Sequence, residues 1–431
     1  MKQFLLAPAA LALIAAAPAQ PDPAQLKATI TKLVSFGTRH TLSSTTDPKR
    51  GIGAARRWAA GRFAEIGKAC GGCLAVETVG DQFTGPRAPN GVRVEDVFAI
   101  QKGTSDPDRV VIVQGHIDSR VSDPMDATSD APGANDDASG VALVMEAARI
   151  LSKEKFAATI VYAALSGEEQ GLWGGKLLAA TAKARGWKVA AVLNNDIVGN
   201  TTGTSGARDD KHVRVFSEGV RAAASLDDDK AQRANGGEDD SPSRALAKAI
   251  RRVADREHGI GAMAVRRPDR FQRGGDHTPF LEAGYPAVRF TEVTENYDHQ
   301  HQTLRTENGK FYGDTIEGVD FPYLAKVTAL NMAVIRELAS APAAPEGVTI
   351  EGALSANTTV AWKSVPGAAG YRVRWRLADG AEWTEHRDVP GSATSLKLDG
   401  VNIDYHFFGV ASLSASGAES LVSFAGPASR K

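Results

Sequence analysis

The run Arg109-Val110-Val111-Ile112-Val113-Gln114-Gly115-His116-Ile117-Asp118 decides the fold. Its four consecutive β-branched residues read as a buried strand, which ends by delivering an imidazole and a carboxylate to one edge of a sheet. The pattern recurs twice. Residues 158–165 form an apolar run ending at Ser166-Gly167-Glu168-Glu169, and residues 189–193 form one ending at Asn194-Asn195-Asp196. Between these strands, residues 140–151, opened by Asp137-Ala138-Ser139, and residues 173–184 carry helical spacing. Strands alternating with helices predict a three-layer α/β/α sandwich around a mixed, mostly parallel central sheet.

Outward from this core, residues 25–36 and 53–66 predict covering helices, and residues 74–79 and 94–101 predict further strands. Downstream, residues 244–258 predict a helix, 285–291 a late strand and 323–338 a closing helix. Residues 227–243 are polar and almost free of apolar side chains, so they predict an exposed loop. Composition changes at Ala339-Ser340-Ala341-Pro342-Ala343-Ala344-Pro345, which reads as a linker. Beyond it, residues 358–362, 370–376, 395–398 and 405–411 alternate apolar with polar residues between turns such as Asp379-Gly380 and Pro390-Gly391. The expected organisation is a signal segment over 1–19, an α/β domain over 20–340, a linker over 341–346 and an all-β domain over 347–431.

A chain of 431 residues is long enough for a large core and a smaller second unit. The formal net charge of -1 and the lack of any Lys/Arg run interleaved with aromatics argue against nucleic acid as a partner. Met1-Lys2-Gln3, an apolar run over 4–17 and the exit Ala17-Pro18-Ala19 predict a cleavable secretory signal. The run is shorter than the roughly 20 residues that span a bilayer, so no membrane attachment is expected once it is removed. The protein is expected to be secreted or periplasmic. Its two cysteines, in Cys70-Gly71-Gly72-Cys73, would be able to close a tight local disulfide there.

Five clusters carry chemistry: His116-Ile117-Asp118, Asn135-Asp136-Asp137, Glu168-Glu169, Asp196, and the pair His299 and His301. Oxygen and imidazole donors suit zinc, and a two-metal site needs one carboxylate between the ions with further ligands on each. Asp118, two residues after His116, is placed to orient that ring through its other nitrogen. Acids crowded at the start of an apolar helix repel one another unless a cation or the helix N-terminus compensates. Asp137 or Ser139 is available as the cap, leaving Asp136 to bridge two metals. Adjacent Glu168 and Glu169 point different ways, so one is able to bind metal while the other takes a proton from water.

The order of His116-x-Asp118, Gly133-Ala134-Asn135-Asp136-Asp137-Ala138-Ser139-Gly140, Glu168-Glu169-Gln170-Gly171-Leu172, Asp196 and a late histidine resembles the M28 family of co-catalytic zinc peptidases. The resemblance spans most of residues 25–340. It implies two Zn2+, with His116 and Asp196 on one, Asp136 bridging, and Glu169 with the late histidine on the other. It makes Glu168 the general base for hydrolysis of peptide bonds by a zinc-bound hydroxide. In the stretch Tyr297-Asp298-His299-Gln300-His301-Gln302-Thr303, Thr303 stands where the family usually has an acid; spacing favours His299 as the last ligand, with His301 the alternative. Tyr297 is a candidate to polarise the scissile carbonyl or, equally, an aromatic wall of the pocket. Gly274-Gly275-Asp276-His277-Thr278-Pro279-Phe280 is similar to a family stretch that packs near the site without binding metal, so His277 is left out.

The expected substrates are peptides or proteins and the expected activity is release of N-terminal residues. Carboxypeptidase, dipeptidase and glutaminyl-cyclase-like activities are the alternatives. A catalytically silent, receptor-like relative would have lost ligands, whereas every expected ligand type is present here. Past the linker, Trp362, Tyr371, Tyr405, Phe408 and Val410 resemble a fibronectin type III sandwich in which Tyr405 would make the corner hydrogen bond. That unit would serve as a spacer or contact substrate or a surface polymer.

Overall fold

The computed structural model describes residues 19–428, so the expected signal segment, but for Ala19, lies outside the described residues. Helices α1 (Pro23–Val34) and α2 (Ile52–Ala69) precede strands β1 (Leu74–Gly85), β2 (Ala88–Gln101) and β3 (Asp106–His116). Then come α3 (Ala138–Leu151), β4 (Ala158–Leu165), the single turn α4 (Glu168–Gly171), α5 (Trp173–Ala184) and β5 (Lys188–Asn195). The chain continues through β6 (His212–Phe216), α6 (Leu226–Asn235), α7 (Pro242–Glu257), β7 (Gly261–Val265), α8 (Thr278–Glu282) and β8 (Ala287–Glu292). A small hairpin, β9 (Arg305–Glu307) and β10 (Lys310–Tyr312), precedes the long helix α9 (Phe321–Ser340).

The central sheet has eight strands in the order β1-β2-β4-β3-β5-β8-β6-β7. Its middle, β4-β3-β5-β8, is parallel; β1 and β2 pair antiparallel on one side, and β6 runs antiparallel to β8 on the other. Side chains alternate across a strand, and β3 shows it: Val111 and Val113 join the core under α1, α2, α3, α7 and α9. Val110 and Ile112 join the opposite core under α5 and α8. Helix α3 is buried at every residue but Arg149, which makes it the central helix of one layer. The four parallel strands necessarily end at one edge, where an α/β sheet presents its loops for binding.

Two expectations are corrected. Residues 227–243 do not form a loop: Ser225 and Asp228 make a reciprocal capping box that starts α6, and Ser241 caps α7. Such caps replace the missing intrahelical partners of the first turn, so a helix with no buried residue still forms. Tyr405 makes no corner hydrogen bond; it is exposed, and it is Tyr371, buried against Trp362, whose hydroxyl accepts from the Val365 amide.

After α9, two four-stranded sheets pack face to face. One has the order β15-β12-β11-β18, with β11 (Thr349–Glu351), β12 (Thr358–Ala361), β15 (Ser395–Leu398) and β18 (Gly426–Pro427). The other has β14-β13-β16-β17, with β13 (Gly370–Leu377), β14 (Glu385–Pro390), β16 (His406–Leu413) and β17 (Ser423–Phe424). Trp362, Tyr371, Val373, Phe408 and Val410 fill the space between them. Cys70 and Cys73 are disulfide-bonded at the end of α2.

The all-β unit is joined to the α/β unit through buried ions. Asp240 Oδ1 pairs with Lys248 at 2.5 Å and its Oδ2 with Arg376 at 2.5 Å, and all three side chains are buried. Trp383 covers both cations, 5.2 Å from Lys248 and 5.3 Å from Arg376. Glu419 binds Arg374 at 2.7 Å and Arg252 of α7 lies 3.6 Å away. Removing one member of a buried ion set strands the others without water. Asp240→Ala is expected to destabilise the protein by about 3–5 kcal/mol, read by chemical denaturation; a loss no larger than that of an exposed pair would show that the seam carries no such load.

Candidate metal centre and cavity

Each parallel strand contributes to one cluster. His116 closes β3, Glu168 and Glu169 follow β4, Asp196 follows β5, and the segment after β8 brings in Tyr297 and His301. Asp136 stands just before α3 and lies between two donor groups. Its Oδ1 is 3.2 Å from His116 Nε2, which is also 3.8 Å from Asp196 Oδ1. Its Oδ2 is 2.9 Å from His301 Nε2, which is also 3.0 Å from Glu169 Oε1. Two triads therefore share Asp136, and in each the donor atoms lie within 4.8 Å of one another.

The local sequence explains how the donors are held. Asp137 caps α3 by accepting from the Gly140 amide at 2.9 Å, and the same carboxylate accepts from the His116 amide at 2.9 Å. Ile197, just past β5, also donates to it at 3.3 Å. One side chain thus ties the ends of two strands to the start of a helix. Gly140 lets that junction close, since a Cβ there would meet the Asn195 carbonyl at 2.1 Å. Behind Asp136, the buried Asp314 carboxylate accepts from the Asn135 and Asp136 amides at 2.7–3.0 Å. Burial pushes the Asp314 carboxyl up to about 7 despite those amides.

The His116 ring is oriented mainly by main chain: its Nδ1 is 3.1 Å from the Asp118 carbonyl and 3.6 Å from the Asp118 carboxylate. That carboxylate instead accepts from the Glu169 amide at 3.1 Å, the Glu168 amide at 3.3 Å and Thr41 Oγ1 at 3.0 Å. Asp118 therefore fixes both the imidazole and the turn that carries the glutamates. With Nδ1 facing a carbonyl, which only accepts, Nε2 is left toward Asp136 and Asp196.

Electrostatics leaves the cluster short of positive charge at its centre. Burial opposes the charge on His116, but Asp118, Asp136 and Asp196 outweigh it and hold the imidazole well above its usual range. Glu169 Oε1 is buried without a hydrogen-bond donor despite its closeness to His301, and such an orphaned carboxylate oxygen fits a cation rather than a hydrogen bond. Burial, with Asp196 and Glu169 adding repulsion, pushes the Glu168 carboxyl well above the usual range. The Glu168 carboxylate accepts no hydrogen bond among the described residues, and the residue lines the cavity.

The structure corrects one site assignment. His301, not His299, joins the cluster; His299 is half-buried beside Gly318, with Asp298 and Lys310 as its charged neighbours. The backbone of His301 is left-handed, φ 53°. Tyr297 lines the cavity and is exposed. His277 lies outside both triads, its Nε2 2.8 Å from the Pro268 carbonyl.

Sequence reasoning missed the supporting cations. Arg120 pairs with Glu169 Oε2 at 2.7 Å and reaches His301 Nδ1 at 2.6 Å, while Arg289 pairs with Asp196 Oδ1 at 2.7 Å. A signal for Arg289 existed, because a charged residue inside the apolar run Ala287-Val288-Arg289-Phe290 needs a buried partner. Arg120 carries no such mark. The cluster floors a cavity of about 670 Å³ lined by Arg87, Gln170, Arg270, Arg273, Tyr297 and Gln300, among others.

Comparison with known proteins agrees with this geometry. The chain is 46% identical over 402 residues to a probable zinc metalloprotease of Leptosphaeria maculans, covering 92% of each chain. It is 44% identical to one from Pyricularia oryzae, covering 93% of this chain and 81% of the relative. Among solved structures, the Legionella pneumophila aminopeptidase LapA superposes with a TM-score of 0.54 at 19% identity, covering 74% of this chain and 72% of that one. A Porphyromonas gingivalis glutaminyl cyclase superposes at 0.51 and 17% identity, covering 74% and 98%. At such identity these two establish a shared fold. The sequence model of peptidase family M28 matches residues 96–317, the span that holds both triads, and the chain belongs to that family.

Proposed function

We propose that the protein is a two-zinc exopeptidase that hydrolyses peptide bonds in the cavity above Asp136. The observation that carries this reading is the position of Asp136, with one carboxylate oxygen in each triad. His116 and Asp196 would hold one ion, Glu169 and His301 the other, and Asp136 both. The names carried by the fungal relatives support zinc as the metal. Bound there, a zinc pair supplies a polarised carbonyl and an acidified water.

The chain's own groups then perform the proton chemistry. Glu168 takes the proton from the attacking water and returns it to the leaving nitrogen, acting as base and then acid. Cations among its neighbouring carboxylates would draw its raised pKa back toward the working range. Asp118, through the Glu168 amide, keeps that carboxylate on the turn beside the triads. Arg120 stands against the other face of the site, its guanidinium 2.6 Å from His301 Nδ1, and would help to orient that ring toward a bound ion. Tyr297, on the cavity wall, would steady the developing oxyanion or serve as an aromatic wall of the pocket. Gln170 Oε1, a buried acceptor without a partner among the described residues, suits the N–H of a peptide.

Release of N-terminal residues is the first reading, supported by the aminopeptidase names among proteins of the same fold. Carboxypeptidase action is the second, favoured by the arginines of the cavity wall. The apolar leader and the Cys70–Cys73 bond support export to an oxidising compartment. The two-sheet arrangement beyond residue 347 supports a fibronectin type III-like unit.

Glu168→Gln should keep zinc and lose nearly all turnover, whereas Asp136→Asn should lose zinc itself by metal analysis after dialysis; an active, fully loaded Glu168→Gln enzyme would reject the base assignment. Aminoacyl-nitroanilides run beside N-blocked peptides with free C-termini separate the two exopeptidase readings. An aminopeptidase leaves the blocked series intact, a carboxypeptidase the anilides. For export, N-terminal sequencing of protein recovered from outside the cytoplasm should begin near Gln20; retention of Met1 would rule out cleavage.

A further inference from the structure

We propose that the cavity selects substrates carrying a carboxylate next to the scissile bond, on an acidic side chain or at a free C-terminus, and that Arg87, Arg273 and the Gln300 amide form the subsite that reads it. This rests on the zinc-peptidase reading above and deepens it. Five arginines line the cavity: Arg87, Arg120, Arg270, Arg273 and Arg289. Its carboxylates are Asp136, Glu168, Glu169 and Asp196, and all but Glu168 belong to the triads. Once cations occupy the triads, those three carboxylates face metal as well as arginine, and the guanidinium charge on the wall is left in excess.

The carboxylates behind the wall do not cancel that excess. Glu295 is shared by three arginines, with Arg214 at 2.6 Å, Arg270 at 3.1 Å and Arg273 at 2.9 Å. Asp269 is shared by Arg270 at 3.1 Å and Arg289 at 3.5 Å. Arg273 is exposed on the cavity side of this group, and Glu295 is its one ion-pair partner among the described residues. Arg87 stands apart from them, exposed, and makes no ion pair among the described residues; its guanidinium donates to the Glu169 carbonyl.

An independent observation points to an acceptor in the same place. Gln300 is 7% exposed, lines the cavity, and its Nε2 has no hydrogen-bond partner. A buried amide donor left unpaired costs free energy that an incoming oxygen recovers. Guanidinium forks and an amide donor together match a carboxylate, for which planar, charge-assisted bonds are the strong ones.

Two pairs of substrates test this and tell the sources apart. Glu-p-nitroanilide against Gln-p-nitroanilide varies only the side-chain carboxylate; Ala-Ala against Ala-Ala-amide varies only the C-terminal one. The acid should exceed its neutral partner by about tenfold or more in kcat/KM in one pair, and the pair that shows it names the source. Arg87→Gln and Arg273→Gln should each shrink that ratio, which is taken within one variant so that loss of folded protein cancels. Equal turnover of acid and amide in both pairs overturns the proposal. Loss of all turnover in a zinc-loaded protein would instead sink the peptidase reading. Titration calorimetry on zinc-loaded and metal-free protein, with glutamate against glutamine for the side-chain source and alanine against alaninamide for the C-terminal one, then decides the subsite alone: tighter binding of the acid in either pair upholds it and equal affinity in both pairs ends it.

Discussion

Four carboxylates packed into one partly closed site repel each other, and the molecule around them is arranged to make that tolerable. Asp136, Glu169 and Asp196 are buried beside the imidazoles of His116 and His301, and among the described residues their paired arginines, Arg120 and Arg289, approach from outside the triads. Among the donors themselves carboxylates outnumber imidazoles, Glu169 Oε1 has no hydrogen-bond donor among the described residues, and the surrounding acids raise the His116 imidazole well above its usual range. Such a site is a poor structural element and a good cation trap, because burial that penalises the free carboxylates also strengthens their hold on an ion.

The scaffold supplies the opposing rigidity through main-chain hydrogen bonds to acids that stay out of the triads. Asp137 gathers the ends of β3 and β5 to the start of α3; Asp118 gathers His116 and the Glu168–Glu169 turn; Asp314 gathers the Asn135–Asp136 main chain. Glu292 adds a fourth tie, accepting from Asn135 Nδ2 and the Asn200 amide, and burial pushes its carboxyl up to about 8. Carboxylates suit this work because each offers several acceptor sites to orphaned amides at strand and helix ends. The second unit is tied in a different way, by Asp240 and Glu419 shared among lysine and arginine side chains.

Much of this is legible in the sequence. Buried strands announce themselves by unbroken β-branched runs, so β3, β4 and β5 and the residues at their ends were placed from Val110 to Asp196 with little error. Helix α6 escaped because it buries nothing, and its start depends on the Ser225–Asp228 exchange rather than on periodicity. Tyr371 and Tyr405 are equivalent as aromatic residues in strands; which hydroxyl meets a backbone amide depends on how the two sheets face each other.

Residue order alone determined the donor types, their sequence on successive strand ends, and the family to which they belong, because chemistry and hydrophobic period are written locally. Only the tertiary structure chose His301 over His299, since two histidines two residues apart in an aperiodic segment differ by backbone torsion and not by composition. It alone brought Arg87, Arg273 and Gln300 to one wall from three distant parts of the chain. Long-range assembly of isolated polar residues leaves no pattern in the chain, because their spacing answers to the cavity wall they share and to no repeat of helix or strand.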